Sequence, residues 1–366
     1  MKKIKLKDCC ILNRYHQLDA NALSEIKTSA GNIKLLPSSK DYDWFSTEEK
    51  SQPYICDGEV ITLGRARYAN IKYYNGKFVS ANNVIVESID QSSLLTKYLY
   101  FYCLKNNKSF YIEGTTYPKF DLNSFNNCLI PLVSYNEQKT IILVLEKIQD
   151  LINEQENELI LLDELIKSRF IEMFGDIVRN DKLWTTEIIT KVCPIKQYDG
   201  KITECDGKIW LLNLDLVESN TGVIIDKYYV TKTEIGNSTI TFSEDNVLYS
   251  KLRPYLNKVV VPDGNGYATS ELIPFFPLSQ VNKHYLAHAL RSESFVNLIN
   301  SKAGGTKMPR APMDFIRSFP LPIPPIGLQN QFADFVSKVD KSKFVVQKRI
   351  ELYKELLNKK MNEYFN

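Results

Sequence analysis

The chain has 366 residues, 44% of them hydrophobic and 24% charged, with 46 Lys and Arg against 43 Asp and Glu. That length supports more than one core. Seven cysteines without a C-x-x-C pair argue against a disulfide scaffold and for reduced thiols in the cytoplasm, and apolar runs such as residues 141–145 and 272–276 are far too short to span a bilayer. Met1-Lys2-Lys3-Ile4-Lys5 is not followed by the apolar stretch of a signal peptide.

Residues 1–130 read as a mixed α and β unit. Strand-like runs at 59–62, 71–74 and 83–86 are separated by turn residues, with Asn75-Gly76 as a hairpin signal, and 94–104 reads as a helix. A short extended connector, Ile130-Pro131-Leu132, leads into a long helix over 136–174, so that 131–175 forms a connector and spacer ended by Gly175. Ile141, Leu145, Ile148, Ile152, Leu159, Leu162, Ile166 and Met173 recur at steps of four and three, with Gln155 and Arg169 in two slots of the same stripe. A helix this long spans roughly 58 Å at about 1.5 Å per residue, and its narrow apolar seam gains nothing until it is buried.

Residues 176–320 form a second mixed unit, with strand candidates at 209–214, 228–230, 246–249, 257–261 and 272–276 and a helix at 284–299. Residues 321–366 supply a proline-rich connector and a second long helix whose seam is Phe332, Val336, Val339, Val346, Ile350, Tyr353, Leu357 and Tyr364. A shift of 191 residues superposes the two helices. It also aligns Gly114-Thr115-Thr116-Tyr117-Pro118-Lys119 with Gly305-Thr306-Lys307-Met308-Pro309-Arg310, Pro131 with Pro322 and Gln138 with Gln329. One unit is thus written twice. The fold class expected is α+β: two pseudo-symmetric mixed units separated by two long helices. The first helix delivers the chain to the second unit, so its partner must return and the pair must be antiparallel.

Charge is distributed unevenly. Residues 64–120 hold eight basic side chains against three acidic, and residues 251–311 hold the same numbers. The first helix is acidic and the second basic, which favours pairing them. Within the basic halves, Lys251-Leu252-Arg253-Pro254-Tyr255 follows one strand and Gly64-Arg65-Ala66-Arg67-Tyr68 another. Arg65, Arg67, Lys251 and Arg253 are candidates for DNA contact, since arginine can fork to guanine and either cation can hold phosphate. The Gly-Thr loops add Thr115, Lys119, Thr306, Lys307 and Arg310, with glycine allowing close backbone approach. Taken singly, each is equally an ordinary solvated loop residue; recurrence at equivalent places is what singles them out. The tyrosines read as core.

Catalytic patterns are missing: there is no phosphate-binding glycine loop and no H-E-x-x-H. His284 and His288, four apart on a helix, read as ordinary histidines without a third ligand, so no metal is expected. Asp263 and Glu271 are weak evidence for a nuclease carboxylate pair.

Together these residues resemble the specificity subunit of type I restriction-modification systems over essentially the whole chain. The features that carry the resemblance are Leu248-Tyr249-Ser250-Lys251-Leu252-Arg253-Pro254-Tyr255-Leu256-Asn257-Lys258, the paired Gly-Thr loops, and the two connector-helix segments ending at Gln138 and Gln329. The first connector departs from the family's tendency, with Val133-Ser134 in place of a double proline, and the second has Leu328 where a Glu commonly precedes the Gln. The resemblance implies two target recognition domains that read double-stranded DNA and a chain without catalysis of its own. It also implies helices that clamp methyltransferase subunits, two by expectation, and restriction subunits that join them. S-adenosylmethionine, ATP and Mg are then expected on those partners. A coiled-coil scaffold without nucleic acid fits the heptads and repeats equally well but leaves the matched basic halves without a use.

Overall fold

Two helices of 40 residues, Tyr135–Phe174 and Ile326–Phe365, carry the apolar stripes. In the computed structural model, which describes residues 2–65, 70–114, 117–305 and 307–366, each helix contributes a part to each of two compact units. One unit is Met1–Glu156 with Lys348–Asn366, the other Asn157–Gln347. The architecture is mixed α and β, as the patterning requires.

Within the first unit, Ile141, Ile142, Leu145, Ile148 and Ile152 share a core with Tyr353, Leu357, Met361 and Phe365 of the returning helix. Lys354 meets Glu156 at 2.8 Å, and Phe365 lies 5.1 Å from the ring of Tyr98 beside the helix start, so the two helices run antiparallel. Within the second unit, Ile166, Phe170, Met173 and Phe174 pack on Phe332, Val336 and Val339, again antiparallel: Lys343 reaches Asp163 at 2.6 Å while Phe332 lies 5.4 Å from Phe170. Val346 and Ile350 are also buried, whereas Leu159, Leu162 and Tyr353 are half-buried.

Arg169 departs from the expected seam. It is exposed and pairs with Glu172, and Phe170 and Phe174 take the buried places. An α-helix drifts by about 20° per heptad against a strict 3.5-residue repeat, so over this length the buried face moves off the original register. The acid-base asymmetry of the helices is used at Lys354–Glu156 and Lys343–Asp163, and Gln155 accepts from Arg349 at 3.5 Å.

In the first unit a six-stranded sheet runs in the order Cys10–Leu12, Asn83–Ser88, Cys56–Gly64, Lys72–Ser80, Ile33–Leu36, Trp44–Ser46. The Asn75-Gly76 signal does not form a turn. Both residues lie inside strand Lys72–Ser80, where Gly76 sits opposite Gly58 with φ +132°, and Asn82 at φ 54° makes the turn instead. A glycine within a strand tolerates a close cross-strand approach as readily as a turn does. In the second unit, strand Val247–Ser250 lies between Val259–Val260 and Leu272–Phe275. The helix expected over 284–299 is two helices, Lys283–Arg291 and Glu293–Lys302, broken at Ser292, whose ψ of 143° is extended.

Each connector becomes an edge strand. Leu129–Leu132 pairs with Lys2–Lys5 and Pro320–Pro322 with Thr186–Ile188, which suits proline because an edge leaves one side unbonded. Ser134 takes up the task of a helix cap: its hydroxyl accepts from the Glu137 N–H at 3.3 Å. At the other end Gly175, at φ +74°, donates its N–H to the Ile171 carbonyl.

The two glutamines do the same work in each unit. Gln138 is fully buried; its Oε1 accepts from the Leu95 N–H at 2.9 Å and its Nε2 donates to the carbonyls of Ser93 at 2.7 Å and Val133 at 3.1 Å. Gln329 is fully buried too, accepting from the Asn282 N–H at 2.8 Å and donating to Gln280 at 3.1 Å and Pro324 at 2.7 Å. Leu95 and Asn282 are the N-cap residues of helices Thr96–Asn106 and Lys283–Arg291. Three residues past each cap residue a fully buried tyrosine, Tyr98 or Tyr285, donates its hydroxyl to the carbonyl of connector residue Pro131 or Pro322. One side-chain amide therefore joins the domain helix, the connector and the first turns of the long helix.

Replacing Gln329 by Leu would keep the volume and remove the partner of one N–H and two carbonyls, of which the bond to Pro324 is buried and the other two are part-buried. At about 1–3 kcal/mol for a stranded buried group, equilibrium urea unfolding should show a loss of about 1–3 kcal/mol, against little change for exposed Gln331→Leu.

A pH effect follows from His288, which lies against Phe332 and Phe170 with ring centroids 5.2 and 6.3 Å away. Burial, with Arg291, His284 and Lys343 around it, holds its imidazole well below the usual histidine range. The unfolded chain therefore binds a proton near pH 6.5 that the folded chain refuses, and stability falls as pH drops below that value, by about 1.4 kcal/mol per pH unit until the folded group titrates. Urea midpoints measured from pH 7.5 to 5 should show this decline, and His288→Leu should make it shallower, leaving the part due to His284, whose imidazole burial also holds below its usual range.

Candidate nucleic-acid interface

The stretch Leu248 to Lys258 is largely a scaffold. Tyr249 is buried, edge-on to Phe295 at 6.2 Å, and the Ser250 hydroxyl donates to the Leu252 carbonyl at 3.0 Å. Asn257, itself left-handed at φ 49°, donates to the Arg291 carbonyl at 3.0 Å, and Lys258 donates to the Leu214 carbonyl at 2.6 Å. Arg291 in turn gives its Nε and Nη2 to the Val259 carbonyl, and burial lowers its guanidinium to about 10. Within the same stretch Lys251 and Arg253 are half-buried and Tyr255 is exposed.

Arg253 has φ 49° and ψ 64°, a left-handed conformation costing a non-glycine residue about 1–2 kcal/mol. Its N–H donates to the Pro309 carbonyl at 2.8 Å, and its Nε is buried without a hydrogen-bond partner among the described residues.

The Pro309 contact shows what the sequence did not. The two basic motifs of the second unit, more than fifty residues apart, share backbone bonds. Leu252 bridges Arg310, and the Ala311 N–H donates to the Lys251 carbonyl at 2.8 Å. Gly304 and Arg310, which flank the Gly-Thr segment, form an antiparallel bridge in which the Arg310 N–H donates to the Gly304 carbonyl at 3.0 Å; Gly305 has φ +100° and Lys307 is exposed.

The first unit repeats the arrangement. Tyr111 and Ile112 pair with Phe120 and Lys119, and the Phe120 N–H donates to the Arg65 carbonyl at 3.0 Å, so Arg65 stands to Phe120 as Lys251 stands to Ala311. The Tyr111 hydroxyl fastens the join by donating to the Gly64 carbonyl at 2.5 Å. A Cβ on Gly114 would lie 2.2 Å from the Tyr117 carbonyl oxygen, which explains glycine there. Arg65 and Lys119 are exposed. Arg67, Thr115 and Thr306 lie outside the described residues.

Arg310 is exposed but engaged: its Nη2 donates to Oε1 of Glu271 at 2.9 Å and its Nε to Oε2 at 3.4 Å. That bond, with a smaller contribution from Lys251, holds the Glu271 carboxyl below the usual range. Asp263 pairs with Lys227 at 2.8 Å, so the two carboxylates weighed as a nuclease pair each serve an ion pair of their own. Among the described residues no group of three or more His, Cys, Asp or Glu is placed to hold a metal, and no helix is long and apolar enough to cross a membrane. Reading the sequence missed Glu271 as the partner of Arg310, and Asn257 and Lys258 as ties, although the last two stood inside the quoted motif.

In each α/β unit, backbone bonds join the end of a strand that leads into a basic segment to a second basic segment. A family model for the type I restriction modification DNA specificity domain matches residues 1–162 and again 183–354, and the chain belongs to that family. It is 21% identical over 368 residues to the specificity subunit of type I restriction enzyme EcoDI from Escherichia coli, spanning 89% of this chain and 81% of that one. Among solved structures, the S subunit of a type I restriction-modification system from M. genitalium matches with a TM-score of 0.57 at 12% identity, over 100% of this chain and 96% of that one. A chain from a structure concerned with complex assembly and conformational transition of the type I R-M system matches at 0.54 and 13%, over 100% and 97%. These structural likenesses establish the fold.

Proposed function

We propose that this chain is the non-catalytic, DNA-reading subunit of a cytoplasmic type I restriction-modification complex, each unit contacting one half of a bipartite target. The observation that carries the reading is the repeated junction of basic segments: Lys251 with Arg310 and Lys307 in one unit, Arg65 with Lys119 in the other. Cations gathered from separate parts of the chain onto one rigid join are suited to a phosphate backbone and to base edges.

The long helices are the docking surface for methyltransferase subunits, with restriction subunits joining the assembly. Supporting this, each unit exposes apolar helix residues beyond the buried seam: Leu143 and Leu352 in the first, Ile160 and Leu161 in the second. Such residues on the outer face of an already paired helix are costly in water and useful in an interface. S-adenosylmethionine, ATP and Mg then act on the partner subunits, and this chain supplies target choice.

The test is binding by the complex assembled with its methyltransferase subunit, measured across a salt series on duplexes carrying either or both half-sites. Lys307→Ala should weaken binding to every duplex and make the dependence on log salt shallower by about one unit. Arg253→Ala should weaken only duplexes that carry the second unit's half-site. Unchanged affinity for both variants would contradict this placement of the DNA surface.

A further inference from the structure

We propose that Arg310, held edge-on by Glu271, reads a guanine in the half-site met by the second unit, with Glu271 its positioning residue. The inference rests on the reading of the chain as a DNA specificity subunit and deepens it.

A guanidinium has five N–H donors in a fixed plane. Glu271 takes the edge formed by Nε and Nη2, at 3.4 and 2.9 Å. What remains is the far end of the fork, the Nη1 hydrogens and the outer Nη2 hydrogen. Two such donors side by side match O6 and N7 of guanine in the major groove. The arginine side chain is 55% exposed and the carboxylate 22%, so the buttress lies inward and the fork outward.

The backbone beneath is held on both sides. Arg310 bonds to Gly304 through its own N–H, and the next residue bonds to Lys251. With the backbone fixed there, the two contacts to Glu271 orient the guanidinium before any ligand arrives, which favours directional recognition.

Charge decides between base and phosphate. An exposed ion pair adds little to stability, about 0–1 kcal/mol, so the contact has little purpose as a fold element. As a phosphate contact it would be self-defeating, because the carboxylate cancels the arginine's charge and repels the anion. A neutral base edge suffers neither penalty and profits from the fixed plane. Lys307, exposed on the same hairpin, is the residue placed to meet phosphate.

The comparison of the two units supports the same assignment. The glutamine latch and the tyrosine bond to the connector recur in both. The Arg–Glu pair does not. Strand pairing sets Gly64 opposite Asn83 where the second unit sets Ser250 opposite Leu272, so the place of Glu271 falls to Asn82, and the place of Arg310 falls to Lys119. Scaffold residues repeat and this pair diverges, as residues reading two different half-sites must.

The experiment selects binding sites from a randomised duplex pool with the complex assembled on its methyltransferase subunit, and measures affinity for the selected site against single-base changes at several salt concentrations. Arg310→Ala should retain the rest of the motif and lose preference at one G·C pair by about ten- to a hundredfold. Glu271→Gln should relax the same pair by a smaller factor and no other. Arg310→Lys should not restore the preference, since a point charge lacks the fork. An intact motif with uniformly weaker, less salt-dependent binding would make Arg310 a phosphate contact and overturn the inference, as would unchanged selection by all variants. Failure of the unaltered complex to select any motif would instead overturn the reading on which it rests.

Discussion

A buried side-chain amide at the start of each long helix is the contact on which the molecule's order depends. Gln138 and Gln329 each satisfy a helix N-cap, a carbonyl two residues before it and a connector carbonyl. A buried polar group leaves no half-measures: three good bonds fix one geometry, and any slip strands three partners. The angle between a recognition domain and the helix that follows it is therefore set by hydrogen-bond directions rather than by apolar packing, which would accept several arrangements.

That constraint divides each unit into a part that repeats and a part that varies. The latch, the tyrosine bonded to the connector, the edge-strand connector and the join between the basic segments occur in both units, at nearly constant offsets along the chain. The side chains presented at the join differ: Arg65 and Lys119 in one, Lys251, Lys307 and the Arg310–Glu271 pair in the other. A fixed frame with changeable outward side chains suits the proposed reading of different bases by the two units. Arg253 is left-handed at φ 49°, a conformation that costs a non-glycine residue stability, and the alignment that sets Arg65 against Lys251 places Arg67 at its position in the first unit.

Much of this was legible in the residues. The heptads gave both long helices, and the offset of 191 gave the duplication, because a shared frame keeps its spacing. Gln138 and Gln329 stood out in that alignment, but their task did not: a glutamine's partners are backbone groups brought near by the fold and carry no signature of their own. The meeting of residues 251–253 with 309–311 was hidden for the same reason, being made of backbone bonds. Where local pattern misled, a tertiary effect intervened. Asn75-Gly76 lies in the middle of a long strand pairing, from Cys56↔Phe78 to Thr62↔Lys72, and helical drift replaced Arg169 by Phe170 in the seam.

If each reader is locked to its helix and the helices set the gap, then the unread spacer of the target must follow helix length. Inserting one heptad into both long helices, about 10 Å, and determining the methylated motif of the assembled complex measures this directly. The account predicts a spacer longer by about three base pairs, at about 3.4 Å each, with both half-site sequences retained. An unchanged spacer with full activity would contradict it.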